Sequence, residues 1–170
     1  MRMTTHRLPG LVLTDHEFTV PLDHARPDGE QITVFAREVV ASGKEDADLP
    51  WLVFLQGGPG FGGPRPDGKD GWLKRALEAY RVLLLDQRGT GRSTPVLPQT
   101  LARFATPQAQ ADYLKHFRAD AIVQDAEWVR RALLGEDGRW SALGQSYGGF
   151  CLLHYLSVAP GGLREAIFTG

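Results

Sequence analysis

The sequence predicts an α/β fold: a mostly parallel sheet with antiparallel opening strands and covering helices. Two continuous apolar runs, 51–55 and 81–85, lack polar alternation, which is typical of parallel strands buried on both faces. In the stretch 119–134, apolar residues recur at helical spacing. Segments of strand and helix type therefore alternate along the chain, and this order favours the α/β class.

The predicted elements follow one another without an internal repeat or a low-complexity tract. In chain order they are strands at 18–22, 31–40 and 51–55, a helix at 71–79, a strand at 81–85, a helix at 119–134, a strand at 140–143, a helix from 150 to 159 and a strand at 166–168. The turn Pro27-Asp28-Gly29 lies between the first two strands and favours an antiparallel connection.

Composition describes a globular protein and excludes several function classes. With 170 residues, 42% of them hydrophobic, the chain can bury the core of one domain. Its 19 basic and 20 acidic residues nearly balance, which argues against a nucleic-acid partner. No apolar run approaches the ~20 residues of a membrane-spanning helix, and the polar start lacks the apolar segment of a signal peptide. The one cysteine, Cys151, excludes an internal disulfide, so we expect a cytoplasmic protein without membrane contact.

A nucleophile elbow is predicted at 144–149, Gly-Gln-Ser-Tyr-Gly-Gly. In such a strand-turn-helix the serine is strained, and glycines two residues before and after it, Gly144 and Gly148, let the strand and the helix approach. Ser146 is therefore the predicted nucleophile, and the N–H of Tyr147 is a predicted oxyanion donor. The alternative is a glycine-rich turn with an idle serine. Apolar strand and helix segments on either side favour the elbow, and on that helix Cys151 is predicted to be a buried packing group.

The loop at 56–64, Gln-Gly-Gly-Pro-Gly-Phe-Gly-Gly-Pro, carries the second motif. In a hydrolase with this elbow, a backbone N–H from the corresponding loop completes the oxyanion hole. Gly58 is the predicted donor, with Gly57 as the next candidate. The alternative is a wide structural turn. The loop lacks the Gly-Lys-Ser/Thr of a phosphate-binding loop.

The third motif, 86–93, is charged and interrupted by glycines. We expect Asp86 and Arg88 to support the active-site loops by charge-assisted hydrogen bonds. The alternative, that Asp86 is the catalytic acid, is disfavoured because the acid follows the serine along the chain in this type of enzyme. The glycines here do not fit a dinucleotide site, and neither a metal site nor a cofactor is predicted.

These three motifs, in this order and spacing, resemble the proline iminopeptidase (prolyl aminopeptidase) family of α/β-hydrolases, and the likeness spans nearly the whole chain. Segments 35–39, 111–114 and 116–120 resemble its larger members in particular. The resemblance implies a serine peptidase that releases an N-terminal residue, typically proline, with Ser146 as nucleophile and Gly58 and Tyr147 as oxyanion donors. A peptide with a free N-terminus is the implied partner. Many relatives have histidine in place of Gln56, which we expect to alter loop support more than chemistry, because the donors are backbone groups.

The triad acid and base are not predicted in this chain, since both follow the serine in this fold. His154 lies on the same helix as Ser146, ~12 Å along its axis, and is too far to act as the base. Four other histidines precede the serine and are predicted to be surface or packing residues: His6, His16, His24 and His116. We therefore expect 1–170 to be the N-terminal portion of an α/β-hydrolase catalytic domain, a single incomplete domain lacking the C-terminal strands and the cap.

Two alternative functions stay open from the sequence. A related hydrolase, either an esterase or a tripeptidyl aminopeptidase, would share the core, because the cap that selects the substrate lies outside the chain. A catalytically silent fragment would serve only as a folding or interaction unit. We expect the isolated chain to be inactive and to self-associate through an exposed sheet edge.

Overall fold

A computed structural model describes residues 2–68 and 71–170, in which a seven-stranded sheet is flanked by helices. The strands are β1 Arg2–Leu8, β2 Leu11–Pro21, β3 Gln31–Ala41, β4 Trp51–Leu55, β5 Arg81–Asp86, β6 Trp140–Gln145 and β7 Leu163–Thr169. The helices are α1 Gly71–Ala76, α2 Pro98–Leu101, α3 Pro107–Leu114, α4 Ala119–Leu134 and α5 Tyr147–Val158, with 3₁₀ turns at Lys115–Phe117 and Pro160–Gly162. β4 and α4 have the predicted bounds, whereas α2 and α3 were not predicted as helices.

The sheet is mixed, in the order β1-β2-β3-β5-β4-β6-β7. Antiparallel pairs join β1 to β2, β2 to β3 and β3 to β5. β4 pairs in parallel with both β5 and β6, and β6 pairs in parallel with β7. The predicted α/β-hydrolase core with antiparallel opening strands is thereby confirmed.

The antiparallel strands at the start of the chain cover more residues than the sequence predicts. β1 was not predicted, because its residues are exposed along most of its length and show no apolar alternation. It is held by backbone pairing with β2, from Arg2 opposite Glu17 to Leu8 opposite Leu11. β2 itself begins at Leu11 rather than at residue 18. A polar edge strand of this type is also protected against pairing with another chain.

Two apolar layers hold the helices on the sheet. On one face, α4 and α5 contribute side chains such as Ile122 and Leu152, which pack with Trp140 and the central strands. On the other face, α1 places Leu73 against the sheet, together with Leu77 just after it. No helix in the described ranges combines the length and the apolar composition needed to cross a membrane.

The parallel strands bring the three sequence motifs to one edge. β4, β5 and β6 are neighbours and run in the same direction, so their carboxyl ends lie side by side. The loops after them begin at Gln56, Gln87 and Ser146. This edge of a parallel sheet is where α/β proteins bind ligands.

Candidate active site

Ser146 lies at the turn between β6 and α5, with φ 51° and ψ −115°. Within 2–68 and 71–170 it is the one non-glycine residue with a positive φ. Such a conformation costs about 1–3 kcal/mol and persists only where the surrounding structure enforces it. The backbone holds the serine from both sides: its N–H donates to the Thr169 carbonyl at 2.9 Å, and its own carbonyl accepts from the Gly149 N–H at 2.8 Å. The residue is exposed.

Gly144 and Gly148 are required by close contacts around this turn. A Cβ on Gly144 would lie 2.6 Å from the Gly148 carbonyl oxygen. A Cβ on Gly148 would lie 1.9 Å from the carbonyl oxygen of Leu55, at the end of β4. Backbone atoms cannot move away from such a clash without displacing the strand. The elbow is therefore packed against both β6 and β4.

The 56–64 loop lies directly against the elbow. A Cβ on Gly57 would be 3.0 Å from the Ser146 Cβ and 2.2 Å from the Gln145 Oε1. Gly58 has φ +127°, a conformation suited to glycine. In the described part of the chain, the N–H groups of Gly57, Gly58 and Tyr147 donate no hydrogen bond. Backbone donors without a partner in the described residues thus lie at Tyr147, next to the serine, and at Gly57 and Gly58 of the loop that packs against the elbow.

Two residues near the elbow have pKa values above their ordinary ones. Burial raises the pKa of the Cys151 thiol to about 11, and its side chain is fully buried in the core, as the sequence predicts. Burial, together with the neighbouring Cys151, raises the pKa of Tyr147 to about 12. Both groups are therefore uncharged at neutral pH, and neither is an ionised nucleophile.

Asp86 is fully buried at the end of β5 and connects two loops. Its Oδ1 accepts from the Gly63 N–H at 2.6 Å, and its Oδ2 accepts from the Arg92 N–H at 2.7 Å. Arg65 donates to both oxygens, at 3.2 and 2.6 Å. The carboxylate thereby ties the far end of the 56–64 loop to the turn at 89–92. Arg65 is not among the predicted site residues; the signal in the sequence is a lone arginine just after the glycine-rich loop.

Arg88 is placed differently from Asp86. Its guanidinium is buried and pairs with Asp125 of α4, with contacts of 2.6 and 2.5 Å. It also donates to the carbonyls of Pro21, Leu22 and His116. These contacts join α4 and the end of β2 to the loop after β5. Hydrogen bonds from Arg88 to the 56–64 loop are absent in the described residues, so the support of that loop that the sequence predicts for Arg88 finds no direct contact.

Three of the five histidines contact carboxylates away from the serine. His16 contacts Glu38 at 2.9 Å, His24 contacts Asp125 at 2.9 Å, and His6 lies 3.3 Å from Asp15. No side chain in 2–68 and 71–170 forms a hydrogen bond with the Ser146 hydroxyl. In the same ranges no cluster of three or more His, Cys, Asp or Glu residues is arranged to hold a metal ion.

An open cleft of about 430 Å³ includes the serine. Its lining is largely apolar and comes from the exposed side of α5 and the end of β7: Ser146, Gly149, Phe150, Leu153, Phe168, Thr169 and Gly170. A smaller pocket of about 240 Å³ adjoins Tyr147 and the loops after β4 and β5. Ser146 therefore borders an open, largely apolar cleft beside the end of β7.

Comparisons with known proteins agree with this geometry. Residues 50–170 match the family model described as alpha/beta hydrolase fold. A proline iminopeptidase of Aeromonas sobria is 57% identical over 164 residues, covering 96% of this chain and 38% of the relative. A proline iminopeptidase of Aspergillus aculeatus is 43% identical over 173 residues, covering 98% and 38%. The resemblance to proline iminopeptidases is thereby confirmed, and the chain spans 38% of the length of these relatives.

The fold also recurs in solved structures of low sequence identity. A hydrolase from Pseudomonas aeruginosa PA01 superposes with a TM-score of 0.56 at 20% identity. The match covers 91% of this chain and 46% of that protein. At this identity the likeness concerns the fold alone.

Proposed function

Because the chain belongs to the alpha/beta hydrolase fold family, we propose that it carries the nucleophile and oxyanion donors of a serine aminopeptidase that releases N-terminal proline from peptides. The observation that carries the proposal is the strained serine of a strand-turn-helix, in a chain 57% identical to a proline iminopeptidase. A strained conformation without a packing role is typical of a functional site.

The proposed reaction proceeds through an acyl-enzyme at Ser146. The Ser146 Oγ attacks the carbonyl carbon of the first residue, a base takes the hydroxyl proton, and the carbonyl oxygen becomes an oxyanion. Collapse of this intermediate breaks the C–N bond, and the proton passes to the leaving amine. Water then attacks the ester, releases the amino acid and regenerates the serine.

The backbone would stabilise the oxyanion. The N–H of Tyr147, first residue of α5, and the N–H of Gly58 are the proposed donors, with Gly57 as the alternative to Gly58. Their hydrogen-bonding capacity is free, and the positive end of the helix dipole at Tyr147 favours negative charge there. Donors of this kind contribute about 3–4 kcal/mol each to the transition state. Asp86 supports the loop directly through its bond from the Gly63 N–H, whereas Arg88 fixes α4 and the end of β2 to the loop after β5.

The base and the acid are proposed to lie in the part of the relatives that this chain does not span. A serine hydroxyl without a base is a weak nucleophile at neutral pH. The proposed partner is a peptide with a free N-terminus, in the cytoplasm and without nucleic acid. Self-association of the 170 residues through β7 is a further part of the proposal.

The test compares a prolyl arylamide, an alanyl arylamide and a simple acyl ester as substrates of the protein expressed from its complete reading frame. We expect the prolyl arylamide to have the highest kcat/KM. Ser146→Ala should lower kcat by about a millionfold. The matched control is Ser157→Ala, at an exposed position of the same helix where the hydroxyl bonds only the Leu153 carbonyl. A faster ester or alanyl reaction would favour an esterase or another aminopeptidase, and full activity of Ser146→Ala would refute the nucleophile.

A further inference from the structure

We propose that Gln87 is a positioning residue for the oxyanion donors, an inference that rests on the proposed function. Gln87 follows β5 and is 3% exposed. Its side-chain Nε2 donates to the main-chain carbonyl oxygen of Gln56 at 3.0 Å. Gln56 directly precedes Gly57 and Gly58, so this bond reaches the start of the donor loop.

Holding the Gln56 carbonyl also orients the next N–H. The peptide group is planar, so the N–H of Gly57 points opposite to the C=O of Gln56 and turns with it. Gly57 and Gly58 have no side chains to favour one rotation of the peptides between them. Among the described residues, Gln87 is the side chain that donates to this carbonyl. Its hydrogen bond is therefore the restraint on the rotation of the first peptide of the loop.

Gln87 is itself fixed by the turn that follows it. Its main-chain carbonyl accepts from the Thr90 N–H at 3.0 Å and from the Thr90 Oγ1 at 2.7 Å. Its neighbour Asp86 accepts from the Gly63 N–H at 2.6 Å. Two consecutive residues at the end of β5 thus hold the loop at both ends. Residues 57–62, including both candidate donors, lie between these two attachments.

The elbow contacts the same peptide from its other side. A Cβ on Gly148 would lie 3.0 Å from the Gln56 carbonyl oxygen. The first turn of α5, which begins with the donor Tyr147, is therefore packed next to the bond that Gln87 makes. The elbow and the donor loop therefore approach each other at the Gln56 carbonyl, to which Gln87 donates.

Loss of this bond should affect the transition state more than substrate binding. Removal of an oxyanion donor lowers kcat by about 100–1000-fold. Gln87→Met keeps the length of the side chain and leaves the donor in place but free to rotate, so we expect a smaller fall in kcat, about 10–100-fold. KM should stay within about twofold, because the donor acts on charge that develops during the reaction.

The experiment uses the protein expressed from its complete reading frame, with kcat expressed per active site titrated by a fluorophosphonate. The matched control is Gln110→Met, which removes the same type of bond at α3, where the Gln110 Nε2 donates to the Leu101 carbonyl at 3.3 Å. A second readout is the backbone ¹⁵N order parameters of Gly57 and Gly58, which should be lower in Gln87→Met than in the control. Should Gln87→Met fail to fold, Gln87→Leu has no donor, is uncharged and replaces it.

The outcomes separate the two proposals. A wild-type protein without Ser146-dependent hydrolysis refutes the proposed function, and the order parameters then decide the role of Gln87 on their own. An active wild-type protein in which Gln87→Met matches Gln110→Met in both kcat and the order parameters overturns the inference about Gln87 alone. A selective fall in kcat with lower order parameters at Gly57 and Gly58 supports it.

Discussion

Asp86→Asn should destabilise the protein, although it changes the shape of the side chain very little. The carboxylate is fully buried and accepts four hydrogen bonds: from the Gly63 and Arg92 N–H groups and twice from Arg65. An amide offers one oxygen, which can keep the Gly63 bond. Its NH₂ group would then face the Arg92 N–H, a donor against a donor.

The magnitude follows from these contacts. An unsatisfied backbone donor costs about 1–3 kcal/mol. Loss of the charge also weakens the pair with Arg65, but the Arg65 side chain is 41% exposed and water compensates part of the loss. Together we expect a fall in the free energy of unfolding of about 2–4 kcal/mol. Because the bonds from the Arg92 N–H and from Arg65 to Oδ2 are lost, the 56–64 loop is tied less firmly to the turn at 89–92, and kcat should fall as well.

Urea unfolding followed by fluorescence measures this change. The control is Asp137→Asn, in an exposed turn, which should leave the unfolding midpoint where it is in the wild type. A change of less than about 1 kcal/mol for Asp86→Asn would refute the reasoning, because it would mean that the buried carboxylate carries no net restraint on the two loops.

Three further predictions follow from burial, charge and exposure. Because burial raises the pKa of Cys151 to about 11, the native thiol should resist a disulfide reagent at pH 8, and Cys151→Ala should leave turnover largely intact; an orders-of-magnitude loss with unchanged folding would contradict this. Burial raises the pKa of Glu38, but hydrogen bonds and charge from His16 and Arg81 outweigh it, so the folded pKa lies below the ordinary 4.5. The stabilisation that ionised Glu38 gives the folded state is therefore complete above pH 4.5 and is lost as the pH falls through the folded pKa. The Tm difference between wild type and Glu38→Gln should then shrink between pH 6 and pH 3, and a constant difference would contradict this. Finally, the 170 residues alone should scatter light as oligomers and label slowly with a fluorophosphonate, and Phe168→Lys, at an exposed position of β7, should reduce the scattering; a monomer that labels rapidly would contradict both parts.

Local patterns in the sequence predicted much of the fold. The apolar run at 51–55 and the helical spacing at 119–134 match β4 and α4 residue for residue. Both signals depend on which faces of an element are buried, and the spacing of apolar residues within the element shows this. β1 escaped prediction because an exposed edge strand needs only backbone pairing, which no side-chain pattern records.

Part of the candidate site could likewise be predicted from the sequence, and part could not. The glycine spacing around Ser146 predicted its place at a strand-to-helix turn, because a close approach of backbones leaves room only for glycine. Its catalytic role stays a proposal. The partners of the buried charges could not be predicted: Asp86 pairs with Arg65 rather than with Arg88, and Arg88 pairs with Asp125, 37 residues away.

The sequence by itself determined the order of the central strands and of the long helices, the strained serine and the glycines that surround it, since each depends on residues a few positions apart. Only the tertiary structure decided that β5 lies between β3 and β4, and hence that Gln87 reaches the Gln56 carbonyl across 31 positions of the chain. Side-chain hydrogen bonds between loops depend on which strand ends are neighbours in the sheet. That arrangement is set by the packing of the whole core rather than by any local pattern.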